Sequence, residues 1–475
     1  MKKLKTLILV IPVLLLAVSC GDDFTILAPH SDRNVENFYR TDSDFIVAIN
    51  GAYAALAHND AYGRNYALFH EMRSDNTSNG GGNTGLAETL YRLEIFNELA
   101  SATELETTWA GAYRGIARTN VILARVDDME FNTSGLGDRI KGEALFIRSL
   151  LYYNLAVIFG NIPLQLDEVS GPSVEINQVS ASVIYDQIAG DLEEAENLLP
   201  LGSTLTGENL GRASKGAAAT LLGLVHLTNG NDALAEAALR RVIDSEEYDL
   251  VPNYADIFGI TNEHNIESIF EIQYKSGGTG TGSSYTEFYT PFGTSGGVGG
   301  GNAPQVITSD VLSIYEDDDE RFWGGTFDSV LVDTADTDFT YFVKKYESTP
   351  FDAFDADNNF IVFRYADVLL MLAEAIGESG EANGLINDVR GRAGLTEPVE
   401  NLPGTFEEKL LNERRREFAI EFKRWPDLRR FGVAKQVMVD HFDNPNITES
   451  DIRLLYPIPQ RELDSAPGAM EQNSL

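Results

Sequence analysis

The chain has 475 residues, 43% hydrophobic and 10% aromatic, with 36 Lys+Arg against 73 Asp+Glu and a formal charge of −37. This composition excludes general disorder and suffices for a large core. It also excludes nucleic acid as a partner, since such a polyanion repels phosphates and no Lys/Arg-rich stripe stands apart.

Lys2, Lys3 and Lys5 precede an apolar run of 12 residues from Leu7 to Val18. That run is too short to span a bilayer and suits a signal peptide, expected over 1–19. It ends at Ala17-Val18-Ser19-Cys20, before the only cysteine in the chain. Cys20 is thereby the expected lipidation site of a bacterial lipoprotein, with palmitate among its acyl groups and residues 20–40 as a tether. Cleavage removes three lysines and no acid, so lipid rather than charge holds the acidic body at a membrane.

From Asp42 to Asn229 the apolar spacing is mostly helical. Ile140, Ala144, Ile147, Leu151, Leu155 and Ile158 form one stripe, with Asp138 as the expected cap and Gly160 and Pro163 as stops. Ile184, Ile188, Leu192, Ala195 and Leu199 form another behind Ser182. Ser214 is expected to cap a third helix through Leu227, and Asp232 to open a fourth. Helices resume over Arg364–Glu378 and from Phe406 to about Arg430. The predicted fold is all-α, a stack of helix pairs of tetratricopeptide type with irregular insertions.

Residues 276–301 break the pattern, with ten glycines in 26 positions interleaved with Tyr285, Phe288, Tyr289 and Phe292. Such a stretch is expected to be non-helical, either a surface linker or a binding loop that presents aromatic faces. Acidic turns follow, notably Glu316-Asp317-Asp318-Asp319-Glu320.

No catalytic motif survives inspection. Gly293-Thr294-Ser295-Gly296-Gly297 matches G-x-S-x-G but lacks the strand and helix of a nucleophile elbow. His70-Glu71 has no second histidine at zincin spacing. Asp355, Asp357 and Asn359 start like a calcium loop, yet Phe360 and Ala366 stand where glycine and glutamate are needed. Cofactors and a resident metal are therefore not expected, beyond adventitious Ca²⁺ on acidic loops.

Several segments resemble the SusD/RagB family of Bacteroidetes surface lipoproteins. They include Thr108-Trp109-Ala110-Gly111-Ala112-Tyr113-Arg114-Gly115-Ile116, Glu143-Ala144-Leu145-Phe146-Ile147-Arg148, and Gly211-Arg212-Ala213-Ser214-Lys215-Gly216-Ala217. Arg364-Tyr365-Ala366-Asp367-Val368-Leu369-Leu370, Glu413-Arg414-Arg415-Arg416-Glu417-Phe418, Arg424-Trp425 and Pro457-Ile458-Pro459-Gln460 complete the set. The resemblance implies an outward-facing, lipid-anchored outer-membrane protein. Its role would be to capture a glycan for a SusC-like TonB-dependent transporter in polysaccharide uptake. It also implies a SusD-like N-terminal helical region over 41–260, an irregular ligand-binding region over 261–363 and a scaffold-completing region over 364–475. Peptide capture of RagB type is the alternative, and a surface glycoside hydrolase a further one.

Glu143, Arg148, Arg414, Arg415, Glu417 and Arg424 read as scaffold ion pairs, and Trp109 and Trp425 as core. A glycan site needs exposed rings flanked by hydrogen-bonding side chains. Candidates are Arg73, Asp75, Asn76 and Asn83 in an early insertion, then Tyr285, Tyr289, Phe292, Asn302, Arg321 and Trp323. Asp75 also reads as a structural turn, and Trp323 either as a sugar platform or as packing beneath an acidic loop.

Overall fold

The computed structural model describes residues 38–79, 84, 87–169, 176–289, 305–331 and 339–473. Cys20 and its leader lie outside them, as do Asn83, Phe292 and Asn302.

The first half is helical. In chain order come α1 (Asp42–Leu56), α2 (Arg64–His70), α3 (Glu88–Glu94), α4 (Thr103–Val126) and α5 (Leu136–Phe159). Then come α6 (Ala181–Leu198), α7 (Lys215–Thr228) and α8 (Asp232–Asp244). Helix α5 carries the predicted stripe and stops at Gly160, which takes φ +74°. Its start differs from expectation: Gly135 at φ +74° occupies the cap position, and Asp138 sits in the first turn as a favourable acid. Ser180, not Ser182, caps α6 by accepting from the Val183 N–H. Ser214 caps α7 as predicted, accepting from the Ala217 N–H at 3.1 Å.

The apolar stripes pack α1 on α4, α4 on α5, α5 on α6, α6 on α7 and α7 on α8. Small residues let these axes approach. A Cβ on Gly223 would fall 2.6 Å from Leu239 across the α7–α8 contact. Arg148 on α5 ties three helices together, donating to Asp191 on α6 at 2.8 Å and to Asn120 on α4 at 3.0 Å. Helix α5 is long and apolar enough to cross a membrane, but it is buried along its length as the centre of the stack.

The stack then continues from the far end of the chain. Helix α11 (Tyr365–Ile376) packs on α8, and α12 (Gly380–Arg392) on α11. Between α8 and α11 run the elements β4 (Ser268–Ile272), α9 (Tyr285–Tyr289), β5 (Gln305–Ile307), α10 (Ser309–Ser313), β6 (Phe327–Leu331), β7 (Phe339–Val343) and β8 (Phe360–Arg364). β4 pairs antiparallel with β8, β6 with β7, and β5 with β1 (Thr77–Asn79) from the early insertion. A further two-residue pair joins β2 (Ile162–Pro163) to β3 (Gln178–Val179). Arg364 thus ends a strand rather than opening the helix predicted there.

The helix predicted from Phe406 to about Arg430 is two helices, α13 (Phe406–Glu417) and α14 (Arg424–Arg430), succeeded by α15 (Ala434–Phe442) and α16 (Gln460–Ser465). Ile420 and Phe422 between α13 and α14 both take φ +61°. For a β-branched residue that conformation costs on the order of 1–3 kcal/mol. It persists because Phe422 stacks on Phe360 at 5.1 Å and Glu421 reaches Lys345 at 2.6 Å.

Candidate functional site

The irregular elements meet the helical stack through buried charge. Arg321, Lys345, Arg364, Arg390 and Arg392 interleave with Glu267, Asp319, Glu413, Glu417 and Glu421, and none of these side chains exceeds 3% exposure. Cations and carboxylates are equal in number, so the cluster is internally neutral. Arg364 reaches Glu267 at 2.7 Å, Glu421 at 2.9 Å and the Glu417 carbonyl at 2.8 Å. Burial alone would raise the Glu413, Glu417 and Glu421 carboxyls. The surrounding guanidiniums outweigh it and hold all three below the usual range. Burial pushes the Lys345 ammonium down to about 8, with Glu421 offsetting part of that shift.

Arg321 belongs to this cluster, forked onto Asp319 and bonded to Glu413 at 2.6 Å. As a sequence-chosen ligand contact it is corrected: it is wholly buried. Its position nevertheless anchors the turn that begins at Phe322. Phe322 packs edge-on against Tyr315 and tilted against Phe327, and Trp323, the next residue, is 58% exposed. The indole lies 4.7 Å from the Phe322 ring and 6.0 Å from Tyr341 on β7, tilted by 38° to the latter. Trp323 is therefore a ring projected from a turn whose root is locked by ion pairs, with Tyr341 beside it. Such preorganisation lowers the entropy lost on binding.

Most other candidates are inside the protein. Arg73 is fully buried, its guanidinium 3.6 Å from the Tyr456 ring centre and 4.7 Å from that of Phe96, with Glu98 at 2.6 Å. Asp75 accepts from Arg424 and lies 3.0 Å from Arg415. Burial acts to raise its carboxyl, but those two arginines hold it at about 2. Asn76 donates to Glu71 at 2.7 Å and accepts from Arg415. Burial pushes the Glu71 carboxyl up to about 7.

Tyr285 and Tyr289 are buried on α9, a helical turn inside the stretch expected to be non-helical. The Tyr285 hydroxyl donates to the Tyr62 and Gly63 carbonyls, and that of Tyr289 to Gln305. Arg73, Asp75, Asn76, Tyr285 and Tyr289 thus offer no face to a ligand. Sequence inspection missed Phe351 and Phe354, 64% and 37% exposed on a tight turn. Their only signal was two phenylalanines within an acidic, non-helical stretch.

The acidic loop at 355–359 does not present a free calcium cradle. Asp355 accepts from the Gly277 and Gly278 N–H groups at 3.0 and 2.7 Å, and Asp357 from Ser276 and Lys275. Among the described residues no group of three or more His, Cys, Asp or Glu could hold a metal ion. Trp109 and Trp425 are core, at 4% and 1% exposure.

Two family profiles match the chain. One, described as the SusD family, matches residues 326–475, and one described as starch-binding, associating with outer membrane, matches residues 29–227. SusD-like protein P25 of Formosa agariphila is 27% identical over 99% of each chain. A laminarin binding SusD-like protein superposes with a TM-score of 0.77 at 27% identity, over 92% of this chain and 99% of that one. Surface glycan-binding protein A from Bacteroides thetaiotaomicron, in complex with laminarihexaose, gives 0.78 at 25% identity, over 91% and 99%. The shared helical stack, the order of the segments and these matches agree, and the chain belongs to the SusD/RagB family.

Proposed function

We propose that this chain is a non-catalytic, cell-surface glycan-binding lipoprotein that captures an oligo- or polysaccharide and passes it to a SusC-like TonB-dependent transporter in the outer membrane. The observation that carries this reading is Trp323: of three tryptophans it alone is exposed, and Tyr341 flanks it on a rigid base. Pyranose rings stack their C–H faces on such surfaces while their hydroxyls take hydrogen bonds at the rim. One relative is named for laminarin binding and another was solved with laminarihexaose, which makes laminarihexaose the first probe.

Calorimetric titration of laminarihexaose is expected to show binding that Trp323→Ala weakens about 10- to 100-fold, or about 1.4–2.8 kcal/mol. The melting temperature should hardly move, because surface truncations away from packed features cost little. Unchanged affinity, or a collapse of the melting temperature, would remove Trp323 from the site.

Cys20 is the proposed anchor, holding an acidic body at the outer face of the membrane. Cys20→Ala should leave the protein unlabelled by palmitate and released from membranes. Continued labelling would place the lipid elsewhere.

A further inference from the structure

A cleft unrelated to Trp323 opens where the loop before α7 crosses β4. It has two chambers, of about 250 Å³ and 310 Å³, divided by Leu210, Gly211 and Arg212 and floored by Phe270 and Glu271. Tyr248 lines the first chamber and Tyr53 the second. Tyr248 is wedged between two glycines: a Cβ on Gly202 or Gly216 would meet its ring or hydroxyl at 2.8 or 2.5 Å. Its hydroxyl bonds Ser214 at 3.0 Å. Gly211 takes φ +82°, and a Cβ there would press on Gln273 at 2.7 Å, narrowing the second chamber. The ring and the dividing ridge are thus both held by glycine contacts.

The polar groups of the walls bear on the ligand class. Glu271 accepts from the His264 N–H and from Asn359, each at 2.9 Å. Glu247 accepts from the Gly202 N–H at 2.6 Å and from Ser203. Arg212 gives its terminal nitrogens to Glu143 at 3.1 Å and Asn50 at 2.6 Å, while its buried Nε–H has no partner. Arg212 is ion-paired to Glu143 and Lys275 to Asp357, so a small anion finds no unmatched Lys or Arg, while Glu247 and Glu271 accept from neutral donors and keep acceptor capacity for hydroxyls. What the walls still offer is hydrogen-bonding capacity around two tyrosine rings, with Leu210 and Ile266 exposed at 49% and 53%. That combination fits a neutral ring carrying hydroxyls on its edge and C–H groups on its faces.

We propose that this cleft is a second saccharide site, sized for one or two pyranose rings and sharing no residue with the Trp323 surface. It rests on the reading of the chain as a saccharide-capturing protein, and it adds a place where a chain end or short product is held while Trp323 engages longer polymer.

The test uses the mature protein with laminaribiose and laminarihexaose as probes, in calorimetry and ligand-observed NMR. Trp323→Ala is expected to lose most laminarihexaose affinity yet retain laminaribiose binding. Adding Leu210→Trp, which fills the cleft mouth from an exposed position, should weaken that residual binding at least about tenfold. Leu210→Trp alone should leave the melting temperature and the Trp323-dependent part of laminarihexaose binding in place. Ile266→Trp gives the same blockade from another lining position should Leu210→Trp disturb folding.

Loss of all laminaribiose binding in Trp323→Ala, or residual binding indifferent to both blocking substitutions, overturns the second site. In those cases persistence of Trp323-dependent laminarihexaose binding leaves the surface reading standing. Laminaribiose binding that depends on Leu210, without laminarihexaose binding, would support the cleft and remove the Trp323 reading.

Discussion

Arg364→Met is expected to lower the unfolding free energy by about 3–5 kcal/mol, read as a marked fall in the urea midpoint at pH 7. Methionine approximates the length of the side chain but returns no charge. Glu267, Glu417 and Glu421 would then face one another across a fully buried space with their central cation gone. The Glu417 carbonyl also loses one of its donors, keeping the Tyr254 hydroxyl. An unpaired charge in such a place costs more than the intact pair contributes, which is why removing one partner is so damaging.

High salt should rescue little, because buried pairs are poorly screened. The exposed Arg240–Glu381 pair is the control: Arg240→Ala should leave the midpoint in place. The pH dependence has a definite sign. Glu413, Glu417 and Glu421 have depressed carboxyls, so their contribution is complete above the unfolded value and is lost as pH falls below it. Arg364→Met should flatten that acid limb. A midpoint within error of the wild type would mean that the cluster is not what joins β8 to α13.

The stack itself was readable because helical packing writes a local periodicity. The stripe from Ile140 to Ile158, the Gly160 stop and the Ser214 cap each depend on neighbours three or four residues away along the chain. The ion cluster was only half readable. Glu417 on an amphipathic helix suggested pairing, but Glu267, Asp319 and Lys345 come from segments far away in sequence. β4 meets β8 across about ninety residues of irregular chain, and no local pattern specifies that pairing.

The same limitation misplaced the aromatics near Gly282. A glycine-rich surrounding suggested exposure for Tyr285 and Tyr289. Their rings instead complete a layer with Tyr346, Phe360 and Phe422 that only the folded chain assembles. The α13–α14 break escaped notice for a related reason: residues 418–423 continue a helical pattern, and long-range contacts to Lys345 and Phe360 override it. Trp323 was found by elimination, since the other two tryptophans lay on helical stripes.

Asp75 separates a structural carboxylate from a ligand-binding one. Asp75→Asn is expected to destabilise the protein by about 2–3 kcal/mol while leaving laminarihexaose affinity per folded molecule unchanged. Its carboxyl sits at about 2 against an ordinary value of 3.8, and each unit is worth about 1.4 kcal/mol. The shift is downward, so the stabilisation is complete above the unfolded value and drains away as pH falls from about 4 towards 2. Wild type and Asp75→Asn should therefore differ by a constant amount at neutral pH and converge in that acid window.

The physical origin is local: two arginines, Arg415 from α13 and Arg424 from α14, converge on one buried carboxylate from the early insertion. An amide keeps the shape and an acceptor oxygen but strands both cations. The insertion would then detach from the α13–α14 corner and weaken the β1–β5 pairing that continues from it. A residue that bound glycan would give the reverse pattern, with affinity lost at constant stability. That outcome would return Asp75 to the ligand site and require the insertion to open when a glycan binds.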